Sequence, residues 1–447
     1  MKRLLATGLL LVSGLASAQG VTLPEPQIVE LENGATIIVH EKRDVPLVGI
    51  SAIVRGGAVT DPEGKAGLAS LLASMLEKGA GERDAAAFAE TVDAAGATLS
   101  TRVGLESITI SGEFLSKDVG LAVELLTDML RAPALDRSEF VKLRDRQIDL
   151  ISAAKDTNLP GLLPLYGAAW LFADHPYGTA VDGDETSLAN IAHRDLKGFY
   201  EDFVGADRLV ISVVGDIDAP EIITALTEAF ADWRPAAQPL PDVPAAEPQS
   251  GRRVLLIDKP GATQTYFWLG NVGVARDFAQ RAELDIANTL FGGRFTSLLV
   301  DEMRTKAGLT YSARSSLSRP TQPGSFAIVS FTKTDTTIVA IDLALDLLER
   351  MREDGFSEEL ITSGKNYILG QFAPRLETSS QLAGQFSNLQ AAGLDASYIN
   401  DYGASIAGAA GEDIQSVITS VYPAADDLVF AIIGDAELIR NDIAKYG

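Results

Sequence analysis

Asp207-Arg208-Leu209-Val210-Ile211-Ser212-Val213-Val214-Gly215-Asp216 is a short apolar run closed by a glycine and an acid. Its valine and isoleucine content predicts a buried β-strand over Leu209–Val214. The same pattern returns as Asp426-Asp427-Leu428-Val429-Phe430-Ala431-Ile432-Ile433-Gly434-Asp435, offset by 219 residues. A repeat at so long a spacing points to two copies of one domain. Applied to the apolar helix pattern Gly67–Leu76, the same offset lands on Ile286–Phe295. That overlaps a second apolar helix, Ala282–Phe291, which stops at Gly292-Gly293. Each half mixes antiparallel-type strands with helices. The expected fold class is therefore α+β: two duplicated domains, each a mostly antiparallel sheet packed with helices.

The junction between the halves is a change in composition. Pro235, Pro239, Pro241, Pro244 and Pro248 fall within 234–251 among alanines and acidic residues, which reads as an extended linker. The expected organisation is a leader over 1–18, an N-terminal domain over 19–233, that linker, and a C-terminal domain over 252–447. The leader reading rests on Lys2 and Arg3, the apolar run Leu4–Leu15, and the small-residue site Ala16-Ser17-Ala18. Cleavage is expected after Ala18, which implies export, and a periplasmic location in a Gram-negative source. No other segment is apolar for long enough to cross a membrane as a helix. The chain has no cysteine, so disulfides and thiolate metal sites are excluded. A formal net charge of −24 argues against nucleic acid and anionic membranes as partners.

Within the first half, Gln27–His40 reads as a strand pair turned at Asn33-Gly34, and Val45–Val54 as a further strand followed by Gly56-Gly57. Gly67-Leu68-Ala69-Ser70-Leu71-Leu72-Ala73-Ser74-Met75-Leu76-Glu77-Lys78-Gly79 reads as an amphipathic helix with a glycine stop. Ser70, Ala73 and Ser74 sit close to one face of it, where small side chains suit tight helix packing. In the second half, Arg294–Lys306 is expected to be helical, Gly308 to reverse the chain, and Leu309–Leu317 to form a strand with Tyr311 near its start. An arginine in a last helical turn complements the helix dipole, and a strand tyrosine ordinarily packs. The same two residues could also bring a guanidinium and a phenol to one spot.

Taken together, several segments resemble the insulinase/pitrilysin-type (inverzincin) zinc peptidases, in their short two-domain branch. They are Gly56-Gly57, Gly67-Leu68-Ala69, Met75-Leu76-Glu77-Lys78-Gly79, His175-Pro176-Tyr177-Gly178, Val214-Gly215-Asp216 and Arg304 to Tyr311. The resemblance runs from about Gln27 to the C-terminus and implies a half-clam metallopeptidase fold. The family's H-x-x-E-H motif places its first zinc ligand, its general base and its second ligand at Ser70, Ala73 and Ser74 of this sequence. None of these can serve. The third ligand should fall near Gln147–Ile151, where Asp149 is the one carboxylate. The family's substrate-pairing edge strand carries Leu99-Ser100-Thr101 here, away from its usual pattern. His40, His175 and His193 offer no paired spacing.

By the same resemblance, Arg304 and Tyr311 match the segment that binds substrate backbone and the developing oxyanion. The implied function is that of a zinc-free subunit of a heterodimeric periplasmic endopeptidase, inactive alone. It would hold no metal itself. A homologous partner subunit would bring the zinc, and unfolded peptides would be the substrate. The alternative is a peptidase-fold scaffold or peptide-binding module with no role in proteolysis.

Overall fold

The computed structural model describes residues 22–447, so the expected leader lies outside the described residues. In the first half, β1 (Gln27–Glu30) and β2 (Thr36–Glu41) form a hairpin, followed by β3 (Leu47–Arg55) and α1 (Leu68–Leu76). A two-residue hairpin, β4 (Gly79–Ala80) and β5 (Arg83–Asp84), leads into α2 (Ala85–Ala94). Then come β6 (Thr98–Val103), β7 (Ser107–Leu115), α3 (Val119–Arg131), α4 (Arg137–Thr157) and α5 (Leu159–Phe172). The half closes with α6 (Glu185–Ala189), α7 (His193–Phe203), β8 (Leu209–Gly215) and α8 (Ala219–Phe230). Residues 234–251 form no helix or strand.

The second half carries β9 (Arg253–Asp258), β10 (Gln264–Val272), α9 (Arg281–Asn288), β11 (Ala313–Leu317) and β12 (Ser325–Lys333). It continues with α10 (Thr337–Asp354), α11 (Glu358–Phe372) and α12 (Ser379–Ala391), and returns to the sheet at β13 (Val429–Gly434).

The two sheets have the same topology. The first runs β1-β2-β8-β3-β7-β6 and the second, read from the other end, β9-β13-β10-β12-β11. In each, one parallel pair (β2 with β8, β9 with β13) sits beside antiparallel neighbours. The repeat therefore extends to strand order and pairing. Among the described residues, only β1 has no counterpart.

The central strands are buried on both faces, which is why β8 and β13 read as continuous apolar runs. Ile37, Val39, Ile211 and Val213 face the helices of their own half. Their alternates Ile38, Val210 and Val214 face Leu382, Phe386 and Leu389 of α12, a helix from the other half. The exchange is reciprocal. Trp268, Val429, Ala431 and Ile433 of the second sheet are covered by Leu163, Leu171 and Phe172 of α5 and its end. The two crossing helices touch the sheets at equivalent points. Ser51 and Ser387 share a buried 2.7 Å hydrogen bond on one side. On the other, the Trp268 indole lies on Gly167 so closely that a Cβ there would sit 2.4 Å from the ring.

Near the junction between the halves, Glu106, in the turn between β6 and β7, accepts from the Tyr177 hydroxyl at 2.6 Å and from the Thr321 amide and hydroxyl at 3.0 and 2.9 Å. Tyr177 Oη also accepts from Gln322 N at 3.0 Å. The motif His175-Pro176-Tyr177-Gly178 is thus part of a latch between the halves. Burial, with Glu106 beside it, pushes the Tyr177 phenol well above its usual pKa.

Two expected elements differ in the structure. The helix over Arg294–Lys306 begins only at Leu298 and winds as a π-helix over Val300–Lys306. The strand over Leu309–Leu317 begins at Ala313, so Tyr311 lies in the connection before it. Ser312 N is bonded by Thr310 Oγ1 at 3.1 Å, a local turn that competes with the ladder.

Candidate functional site

Helix α1 is set by its N-terminal cap. Asp61 accepts from Gly67 N at 2.7 Å and Ala69 N at 2.8 Å. Burial pushes the Asp61 carboxyl up to about 7, against the pull of those amides. Leu68, Leu71, Leu72, Met75 and Leu76 are buried in the first core. At the three motif positions, Ala73 is buried, and Ser70 and Ser74 are partly buried. Ser70 Oγ donates to Asp182 Oδ1 at 2.8 Å, so it is a polar surface contact in addition to a small packing residue. Asp149 is exposed on α4.

Two hydroxyls and a methyl do not make a zinc site, and no other group of donors compensates. Among the described residues there is no cluster of three or more His, Asp or Glu side chains able to hold a metal. The histidines are scattered and engaged. His175 contacts Pro244 O at 2.9 Å and His193 contacts Leu135 O at 2.6 Å. His40 packs edge-on against Phe386 of α12, and burial lowers its pKa.

Beside α1 runs β6, the edge strand of the first sheet. Thr101 N donates to Glu77 Oε1 at 2.6 Å, and Thr101 Oγ1 to the same oxygen at 2.7 Å and to Ala73 O at 2.9 Å. On an edge strand, alternate amides point away from the sheet and are free to pair with another chain. Here the carboxylate at the end of α1 takes one of them.

The equivalent region of the second half is built differently. After α9 the chain winds as a π-helix over Thr289–Gly293, turns, and winds as a π-helix again over Val300–Lys306. Such π-wound turns recur at functional sites. Gly308, at φ +64°, reverses the chain, and Leu309 N bonds Met303 O at 2.9 Å to close the turn. Arg304 is partly buried, with its guanidinium 4.6 Å above the Phe295 ring. It makes no ion pair or hydrogen bond among the described residues, whereas neighbouring Glu302 is held by Arg350 at 2.8 Å. Phe295 is 71% exposed and Tyr311 81% exposed. The structure thus places a cation, a phenol and an apolar ring on one short segment, with the polar groups left available.

Comparison with known proteins bears on this arrangement. Residues 36–178 match the insulinase (peptidase family M16) model, and residues 190–368 match the peptidase M16 inactive domain. The chain belongs to the insulinase (M16) family. It is 25% identical over 79% of its length to an uncharacterized zinc protease of Mycobacterium tuberculosis, covering 81% of that protein. It is 25% identical over 85% of its length to a protein of Helicobacter pylori named a non-peptidase homolog, covering 86% of it. The crystal structure of a peptidase M16 inactive domain from Pseudomonas fluorescens superposes with a TM-score of 0.85 at 22% identity, covering 92% of this chain and 98% of that one. A protease from Helicobacter pylori superposes with a TM-score of 0.84 at 19% identity over 92% of this chain and 99% of its own.

Within the insulinase family this chain is a member with no zinc-binding set among its described residues. The latch residues Glu106 and Thr321, the Glu77 contact with Thr101, and Phe295 beneath Arg304 were not singled out by sequence. Glu77 falls within the motif that closes α1, but only the fold brings it to the edge strand. Phe295 is nine residues before Arg304, and π-winding has no simple periodic signature.

Proposed function

We propose that this chain is the metal-free subunit of an exported heterodimeric zinc endopeptidase. A homologous sister chain would supply the zinc and the general base. This chain would close the substrate chamber and contribute Arg304 and Tyr311. The observation that carries this reading is the contrast between the two halves. The positions that the resemblance assigns to metal ligands hold Ser70, Ala73 and Ser74, while the Arg304 guanidinium, stacked on Phe295, and the Tyr311 hydroxyl have no hydrogen-bond or ion-pair partner among the described residues. A permanent cation and a neutral donor held in place can stabilise charge developing on a scissile carbonyl oxygen.

The fold supports the need for a second body. The exchanged helices α5 and α12 and the Glu106 latch tie both halves into one unit. A chamber around a peptide then requires closure against another chain. Unfolded peptides are the substrates that suit such an enclosure. The test is reconstitution. The purified chain should bind no zinc by elemental analysis and cleave no peptide. Mixed with a sister chain carrying an intact H-x-x-E-H, it should restore hydrolysis. A sister chain that is fully active alone, and unchanged on mixing, would count against the reading.

A further inference from the structure

A cavity of about 330 Å³ opens where the end of α12 meets two loops of the second half. Its polar lining is Arg276, in the loop after β10, Arg319, in the loop after β11, and Gln385 and Asn388 of α12. Its apolar lining includes Leu389, Leu394 and Ile399. In a chain of net charge −24, no carboxylate lines it. Part of the site is fixed by surrounding contacts. Arg319 Nη2 donates to Asp285 Oδ1 at 2.8 Å, and Asp285 Oδ2 accepts from the Tyr402 hydroxyl at 2.8 Å. The Arg281 guanidinium lies 3.5 Å from the centroid of the Tyr398 ring, which also borders the cavity. Arg276 is held less tightly. Its Nε reaches the Arg319 carbonyl only at 3.4 Å, and its Nη2 stands 3.8 Å from Glu106 Oε2, too far for a hydrogen bond. Both Glu106 oxygens are taken by Tyr177 and Thr321, and Glu106 lines the neighbouring cavity instead of this one. The Arg276 side chain is 37% exposed, so a ligand can reach it.

We infer that this cavity binds a small monocarboxylate with an aliphatic or aromatic body. A guanidinium presents a planar fork of donors that matches the two oxygens of a carboxylate. The Gln385 amide, which makes no hydrogen bond among the described residues, adds a further donor. The leucine and isoleucine side chains remove the body of the ligand from water. One charge is what the site answers. Asp285 already holds Arg319, and Glu106 stands near Arg276, so a polyanion would meet two carboxylates close by. The carbonyls that end α12 would also repel an anion, but they are capped. Leu394 N bonds Leu389 O at 2.9 Å and Gly393 N bonds Gln390 O at 3.1 Å. Helix α12 covers the first sheet, so a ligand here ties that crossing helix to the loops of its own half. None of these residues belongs to the Arg304–Tyr311 segment, and the site is independent of any role in hydrolysis.

The test is isothermal titration calorimetry of the full chain with hexanoate and phenylbutyrate as probes. Acetate lacks the apolar body, hexanamide lacks the charge, and hexylamine reverses it. Hexanoate and phenylbutyrate should each fill a single site and bind at least about tenfold tighter than the three controls. Hexanoate should also slow amide exchange within 385–399 of the wild type. Arg276→Gln should weaken binding of both probes at least about tenfold. Gln385→Glu, which sets a like charge in the lining with little change of shape, should weaken them too. Unchanged unfolding midpoints would show that the variants keep their fold. Were either to lose it, the probe series and the exchange pattern of the wild type would still decide. No binding of hexanoate or phenylbutyrate up to millimolar concentration, equal affinity for hexanamide, several weak sites in place of one, exchange slowed elsewhere, or affinity unchanged in both variants would each overturn the inference.

Discussion

Glu77 holds Thr101 by both its amide and its hydroxyl, at 2.6 and 2.7 Å. This joins the C-terminal end of α1 to the edge of the first sheet, and it closes an outward amide that a bound peptide strand would otherwise use. Glu77→Ala should lower the free energy of unfolding by about 1–3 kcal/mol, the loss of hydrogen bonds to a charged acceptor. Urea denaturation checks the size, and amide exchange at Thr101 should accelerate in the variant. An unchanged exchange rate would mean that the contact does not protect the edge.

The crossing of α5 onto the second sheet predicts opposite effects for two helical glycines. A Cβ on Gly167 would meet the Trp268 ring at 2.4 Å, whereas a Cβ on Gly120 meets nothing within 4 Å. Gly167→Ala should destabilise by about 1–3 kcal/mol through overpacking. Gly120→Ala, in α3, should stabilise by about 0.5–1 kcal/mol through helix propensity. Thermal unfolding of both variants decides it.

The latch should behave as a unit. Glu106→Ala removes the acceptor for Tyr177 and for Thr321. Tyr177→Phe removes one of those donors and the acceptor for Gln322 N. Each should cost on the order of 1–3 kcal/mol, and the double variant should cost less than the sum, since both disrupt one network. Additive losses would show the two residues acting independently.

Asp61 gives the pH dependence a sign. Its pKa is raised to about 7 by burial, so the folded chain holds that proton more tightly than the unfolded chain. The associated stability is complete below about pH 4 and is lost as pH rises to about 7. Asp61→Asn removes this titration. The stability of the wild type relative to Asp61→Asn should therefore fall between about pH 4 and pH 7, and level off above. A difference that rises with pH would contradict the assignment and show that the α1 amides outweigh burial.

Much of the fold was legible because it is repeated. The match of Leu209–Gly215 with Val429–Gly434 anticipates the two equivalent sheets, and the turn at Asn33-Gly34 lies between β1 and β2 as its residues demand. What sequence could not show is which body covers each face. Val210 and Ile211 are both apolar, and nothing in their order says that one faces its own half and the other faces α12. That Ser70, Ala73 and Ser74 cannot hold zinc was readable from their chemistry, whereas their place at metal-ligand positions came from the family resemblance alone. The segment around Arg304 was only partly so. Its helix was expected to run unbroken from Arg294, but the π-wound turns shorten it, and local hydrogen bonds at Thr310 keep Tyr311 outside β11.

The most direct measurement is peptide hydrolysis by the mixed subunits, with wild type, Arg304→Ala and Tyr311→Phe compared at saturating substrate. Neither side chain has a hydrogen-bond or ion-pair partner among the described residues, so both variants should fold and assemble as the wild type does. The account predicts that kcat falls by roughly two orders of magnitude in each, as for loss of an oxyanion donor. Unchanged kcat in both variants would contradict it.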